Sequence, residues 1–358
     1  MTRAGCIRMR SLVTTVVLML MFGPASAQAA PAGAIDRDAC IASDALGFRY
    51  IAFGRTDVPE PGIYLATNRS GAWRVGAHPV VPGERCVAIS IDRERHLHML
   101  VVRPLPDDPN DNENLYYSTN RSGSWRSSLV RYGEIGLASL AIDRTGRANV
   151  VTTDKDGVAL FERSTSGGWI TRYAAGGSPS HLRTDPAGNL WVVIFDVSNQ
   201  RAVRLTDRSG VWVAGRIPIS WRTPEFDLAI DASGRRYLST HDPETGAVRI
   251  YRDRGATWPL VDRTTAPAGR RLMEMDIEPS GAIHLLFQRF EPRRAVVDLN
   301  RHGGSWRSQL VGYSSGFWSD IEVDSRGRVS AAFDRDGVIW GYWNPWTKPP
   351  NRLSISSL

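Results

Sequence analysis

Residues 182–195, Leu-Arg-Thr-Asp-Pro-Ala-Gly-Asn-Leu-Trp-Val-Val-Ile-Phe, decide how this chain folds. A short alternating stretch meets Asp185-x-x-Gly188 and returns as an apolar, β-branched run. Asp bonds its own backbone in such a turn and Gly takes a positive φ, so the string predicts a hairpin. The returning strand is apolar on both faces, which suits a strand sandwiched between two sheets.

The same element recurs at 41–53, 89–102, 140–153, 228–240, 275–287 and 321–333. Its turn acids are Asp44, Asp92, Asp143, Asp185, Asp231, Glu278 and Asp324, a period of about 47 residues. A second hairpin falls between the copies, as in 63–73 (IYLATNRSGAW), 115–125 (LYYSTNRSGSW) and 203–212 (VRLTDRSGVW), with a degenerate last copy at 339–346. Two hairpins per unit give four strands. Seven such units predict an all-β fold, a seven-bladed β-propeller of four-stranded antiparallel sheets. The Trp that closes each second hairpin is expected to pack between blades. Residues 352–357 suit the outer strand of the last blade, and residues 31–37 suit an alternative closure of the ring.

The turn Asp253-Arg254-Gly255-Ala256-Thr257-Trp258 resembles the Asp-box hairpin of sialidase-type (BNR-like) propellers, with Tyr251 where that motif has Ser. The other copies shift the Gly by one position. The resemblance places the chain beside the Asp-box propellers without making it a sialidase. It implies a fold and no activity, since such turns lie away from the active site in that family.

The N-terminus reads as a secretory signal over residues 1–29. Arg3, Arg8 and Arg10 precede an apolar stretch from Ser11 to Gly23, then Pro24 and a run of small residues. The remainder, 30–358, is expected to be one propeller domain, secreted to the periplasm or the exterior. The whole chain has 44 Lys+Arg and 37 Asp+Glu. Removing the three signal arginines leaves 41 basic residues, a net +4, which gives no argument for nucleic acid. No further segment is apolar for long enough to span a membrane, and a monomer is expected. The basic residues are nearly all Arg, as a GC-rich bacterial coding bias produces. Cys40 and Cys86, left after cleavage in an exported chain, predict one disulfide.

The site search starts from the inner strands. Four residues before the turn acid, the units carry Cys40, Ala88, Ser139, His181, Asp227, Glu274 and Asp320; two before it, Ala42, Ser90, Ala141, Arg183, Ala229, Asp276 and Glu322. Strand alternation puts these on one side, facing the central channel. Asp227, Glu274 and Asp320, with His181 as base, are the candidate catalytic groups. Asp276 and Glu322 are candidate ligands for a cation, with oxygen donors suiting Ca²⁺. The plainer reading is a solvated tunnel wall.

A second set lies in the blade-to-blade connections, where ligands of propellers usually bind: Tyr132, Trp221, Arg222, Arg270, Arg271, Tyr313 and Trp318. Flat rings stack on sugars and Arg forks bind anions. Weaker strings are set aside. The acidic loop 107–113 lacks EF-hand spacing, Gly312–Gly316 lacks the strand-turn-helix of a nucleophile elbow, and the sequons at Asn68 and Asn120 are hairpin turns. His98 and His284 share one repeat position, which reads as inter-blade packing or bonding.

These features favour a secreted module that binds a carbohydrate or anionic glycan on the inter-blade face. A glycoside hydrolase or polysaccharide lyase using the channel carboxylates, and a scaffold for protein partners, are the alternatives.

Overall fold

The computed structural model describes residues 35–56, 58–104, 113–208, 210–219, 225–266, 270–289, 295–302, 304–314, 319–335, 338–344 and 351–354. Among them every regular element is a β-strand. Ile35–Ser43, Arg49–Thr56, Gly62–Thr67 and Arg74–Val75 hydrogen-bond in that order as sheet 1, and six further antiparallel meanders follow in chain order. Six sheets are four-stranded. Sheet 4 has five strands, which corrects the expectation of uniform four-stranded units. Its inner position is divided between Gly177–Pro179 and Arg183–Thr184, both paired with Leu190–Asp196. The division has a local cause: the Ser180 hydroxyl, not a carbonyl, accepts from Val193 N at 3.0 Å.

The turn chemistry is as read. Asp44 Oδ1 accepts from the amides of Leu46 and Phe48, and Gly47 N bonds Asp44 O. Asp143, Asp231 and Asp324 repeat this pattern. In sheet 2 Arg95 stands where the other units have Gly and is held at φ +70°, a conformation that ordinarily disfavours a side chain. Its guanidinium compensates by reaching Asp44 in sheet 1 at 2.8 and 3.0 Å.

The first strands of successive sheets, Ile35–Ser43, Arg85–Ile91, Ala138–Ile142, Arg183–Thr184, Glu225–Ile230, Arg270–Ile277 and Ser319–Val323, touch one another in a circle that closes from the last sheet to the first. The molecule is therefore a β-propeller with these strands around its axis. Hydrophobic clusters lie between neighbouring sheets. One joins Trp191, Val193 and Ala202 of sheet 4 to Phe226, Leu228, Leu238 and Trp258 of sheet 5. Trp73, Trp125, Trp169, Trp212 and Trp306 take the equivalent place in five others, as expected of the repeat Trp. The second strands are buried nearly throughout, as in Leu97–Pro104 and Leu190–Asp196, because a sheet covers each face. Asn351–Ser354 pairs with Val338–Asn344 as the outer strand of sheet 7, and Ile35–Ser43 is the inner strand of sheet 1. Among the described residues, closure thus runs through contacts between the end sheets, and no strand is shared.

Cys40 and Cys86 form a disulfide with Cα atoms 5.9 Å apart, joining the inner strands of sheets 1 and 2. A loop of this length contributes about 4 kcal/mol in the chain-entropy model.

Candidate functional site

The inner strand of each blade is an edge, and its outward amides lack a ladder partner. The polar set identified above supplies one across the blade junctions. Asp227 accepts from Met275 N at 2.8 Å, Glu274 from Ile321 N at 3.0 Å and Asp320 from Ile41 N at 2.8 Å. Ser139 accepts from Leu182 N at 2.9 Å. One turn deeper, Asp276 accepts from Val323 N at 2.7 Å, and Glu322 from the Ser43 hydroxyl at 2.8 Å. Between sheets 1 and 2 the Cys40–Cys86 bond takes this place. The five acids converge and clasp neighbouring sheets together.

His181 and Arg183 sit among them. His181 Nδ1 lies 3.0 Å from Asp227 Oδ1, and Arg183 reaches Glu274 at 2.6 Å, Asp227 at 3.4 Å and the Met275 carbonyl at 3.1 Å. Burial acts to lower the His181 pKa, but Asp227 and then Glu274 outweigh it and hold the imidazole above its ordinary value. Against the cost of burial, His181 and Arg183 hold Asp227 down at about 2 and keep Glu274 low. The other acids go the opposite way. Burial pushes Asp276 up to about 6, burial and then Asp276 raise Glu322 to about 8, and burial with the Glu274 charge drives Asp320 well above its usual range. Two cations therefore face two firm carboxylates, and the remaining three hold protons more readily. His181, Asp227 and Glu274 bring ligand atoms within 4.8 Å of one another, a geometry open to a metal ion, although Arg183 already places a positive charge against the two acids. Asp276 and Glu322, the expected cation ligands, have three of their four oxygens engaged by Val323, Ile277 and Ser43.

The narrow cavity beside this cluster, lined by Glu274, Asp320 and Glu322, measures about 90 Å³, room for water and not for a sugar ring. Where the inner strands begin, the axis widens into a pocket of about 770 Å³. Its lining includes Ser178 and Ser319, Thr153 and Ser180 whose hydroxyls are engaged by the backbone of Leu137, Val193 and His181, the apolar residues Phe226, Leu272 and Met273, and the ionisable residues His181, Glu225 and Arg271. His181 borders both cavities.

The structure thus gathers His181, Asp227, Glu274 and Asp320 in one cluster and places Arg271 at its mouth. Arg270 begins the same inner strand as Arg271 and does not line the pocket. Tyr132 and Tyr313 end the outer strands of sheets 2 and 6 and likewise stay off the pocket wall. Trp221, Arg222 and Trp318, and most of the acidic loop at 107–113, lie outside the described residues. Glu225, Ser178 and Ser319 were not singled out in the sequence; the signal that finds them is their place in the connections leading into the inner strands, the kind of segment from which Arg271 was drawn. His98 and His284 each bond the turn acid of their own sheet, at 3.2 Å to Asp92 and 3.0 Å to Glu278.

No protein-family model matches the chain, and no curated protein matches it in sequence. Solved structures do match in fold. A protein from Lactobacillus plantarum aligns with a TM-score of 0.59 at 11% identity, covering 85% of this chain and 95% of that one. The Aleuria aurantia lectin, in complex with Fucα1-6GlcNAc, aligns at 0.52 and 14% identity, covering 91% and 96%. An ulvan lyase from a new family of polysaccharide lyases aligns at 0.51 and 12% identity, covering 84% and 90%. At such identities the likeness is one of fold, and it agrees with the propeller described above.

Proposed function

We propose that this chain is an exported seven-bladed propeller, the five-stranded sheet counting as its fourth blade, and that it binds carbohydrate in the pocket at the mouth of its axis. The pocket itself carries the reading. Its volume falls in the range of small-ligand sites, and its lining combines the hydroxyl residues Ser178 and Ser319 with apolar Phe226, Leu272 and Met273, a mixture that suits a sugar's polar rim and flat faces. Ser319 Oγ, buried at the pocket wall, has no hydrogen-bond partner among the described residues and suits a ligand hydroxyl. Two propellers of similar shape, a lectin in complex with Fucα1-6GlcNAc and an ulvan lyase, are in keeping with this reading. The buried carboxylates serve the fold in this reading, since among the described residues the cavity beside Asp320 and Glu274 measures about 90 Å³.

A glycan array followed by calorimetry tests the proposal. At least one oligosaccharide is expected to bind, and Met273→Trp, which fills the pocket, is expected to abolish binding without lowering the melting temperature. A blank array, or unchanged binding by the filled variant, overturns it.

A further inference from the structure

We propose that the mouth pocket selects sugars bearing a carboxylate, uronate residues, by holding that carboxylate between the Arg271 guanidinium and His181 Nε2. The assignment rests on the carbohydrate reading above and narrows it to a chemical class.

Arg271 is the most open charge in the pocket: its side chain is 60% exposed. Its one ion pair among the described residues is loose, Nε to Glu225 Oε1 at 3.9 Å. Glu225 is itself tied elsewhere, through Oε2 to Leu272 N at 3.1 Å and His241 Nδ1 at 2.7 Å. The guanidinium fork is therefore available to a planar anion, the geometry for which Arg is suited. His181 supplies the second donor. Its Nδ1 lies 3.0 Å from Asp227 Oδ1 as an ion pair outside hydrogen-bond geometry, its Nε2 has no hydrogen bond among the described residues, and the residue lines the cavity. A carboxylate offers two oxygens and satisfies both groups. Glu225 repels an anion but accepts a sugar hydroxyl, so a bare carboxylate fits less well than a uronate.

The charges around His181 set the pH dependence. Asp227 of sheet 5 and Glu274 of sheet 6 favour the imidazolium, and Arg183 on its own strand opposes it. Asp276, Asp320 and Glu322 complete the cluster, and Arg271 and Glu225 line the same pocket as His181. The imidazolium carries a proton on both ring nitrogens and a positive charge, so it holds an anion better than the neutral ring does. Uronate affinity is therefore expected to fall as pH rises through the elevated His181 pKa.

The test is calorimetric titration with trimers of galacturonate, glucuronate and mannuronate and with their methyl esters. At least one acid is expected to bind tenfold or more tightly than its ester. Arg271→Gln, at an exposed position, is expected to lose that margin, and Arg271→Lys to restore part of it. Equal binding of acid and ester, or an unaltered margin in Arg271→Gln, overturns the selection and leaves carbohydrate binding standing. If neither acids nor esters bind, the selection fails, and a blank glycan array removes the broader reading as well.

Discussion

His98 and His284 occupy the same place in their repeats, are equally buried, and titrate in opposite directions. His98 meets one carboxylate, Asp92, and the hydroxyl of Tyr117 at 2.6 Å. Burial wins there and takes its pKa down to about 4. His284 lies between two carboxylates, with Nδ1 at 3.1 Å from Asp298 and Nε2 at 3.0 Å from Glu278. Burial again acts downward, but the two acids overcome it and hold His284 at about 9. The consequences for stability have opposite signs. His98, lowered, stabilises the fold above pH 6.5 and loses that contribution as pH falls toward 4. His284, raised, stabilises below pH 6.5 and loses its contribution as pH rises through 9. Each shift corresponds to roughly 3 kcal/mol. Imidazole NMR at pH 7 is expected to show His284 charged and His98 neutral. His284→Gln is expected to flatten the decline in melting temperature between pH 7 and 9, and an unchanged slope refutes the assignment.

Among the elements, the hairpin turn carries the most chemistry per residue. Asp143 Oδ1 accepts from Thr145 N, the Thr145 hydroxyl and Arg147 N, and Oδ2 accepts from Arg147 Nε. Asp143→Ala is expected to cost about 1–3 kcal/mol, because two amides in a tight turn lose their acceptor. Asp143→Asn keeps Oδ1 and is expected to cost less. Thermal unfolding of both variants checks this, and equal losses would mean the charge matters and the turn does not. Outer strands show a second regularity: in sheets 2, 3, 5 and 6 the last pairing is bulged, between Leu115/Tyr116, Leu160/Phe161, Ile250/Tyr251 and Val296/Val297. Bulges of this kind twist an exposed edge away from further pairing.

For the molecule as a whole, the axial cluster is the joint that holds the circle. Arg side chains make a second set of ties on the turn face: Arg121 reaches Gly146 O, Arg204 reaches Gly255 O and Arg328 reaches Gly47 O, each in the following sheet, at 2.9, 3.0 and 2.9 Å. The Arg bias of the chain thus has a structural use. The acids at the axis make the fold sensitive to alkali. Glu322, raised to about 8, binds a proton more tightly folded than unfolded, so its contribution is present at low pH and lost as pH rises from about 4.5 through 8. Glu322→Gln retains an acceptor for Ser43 and removes the titration. It is expected to match the parent near pH 5 and to exceed its melting temperature at pH 9; a variant that loses stability equally at both values sinks this account.

What was legible in the chain follows from range. Asp-x-x-Gly turns, the alternation of the inner strands and the closing Trp are settled within a few residues, so the repeat and the sheets could be read directly, while the disulfide followed from there being two cysteines beyond the signal. The clustering of Asp227, Glu274, Asp276, Asp320 and Glu322 on one side was legible for the same reason. Their use was not. Asp320 meets Ile41 across 279 positions, and whether such an acid clasps a backbone amide or faces a ligand depends on the neighbouring sheet alone. The split inner strand of sheet 4 and the pocket beside His181 have the same origin: a hydroxyl at Ser180 and the starts of several inner strands, brought together only when the circle closes. Local backbone chemistry determined the blades. The packing of each blade against the next, which no short stretch encodes, decided where a ligand has room.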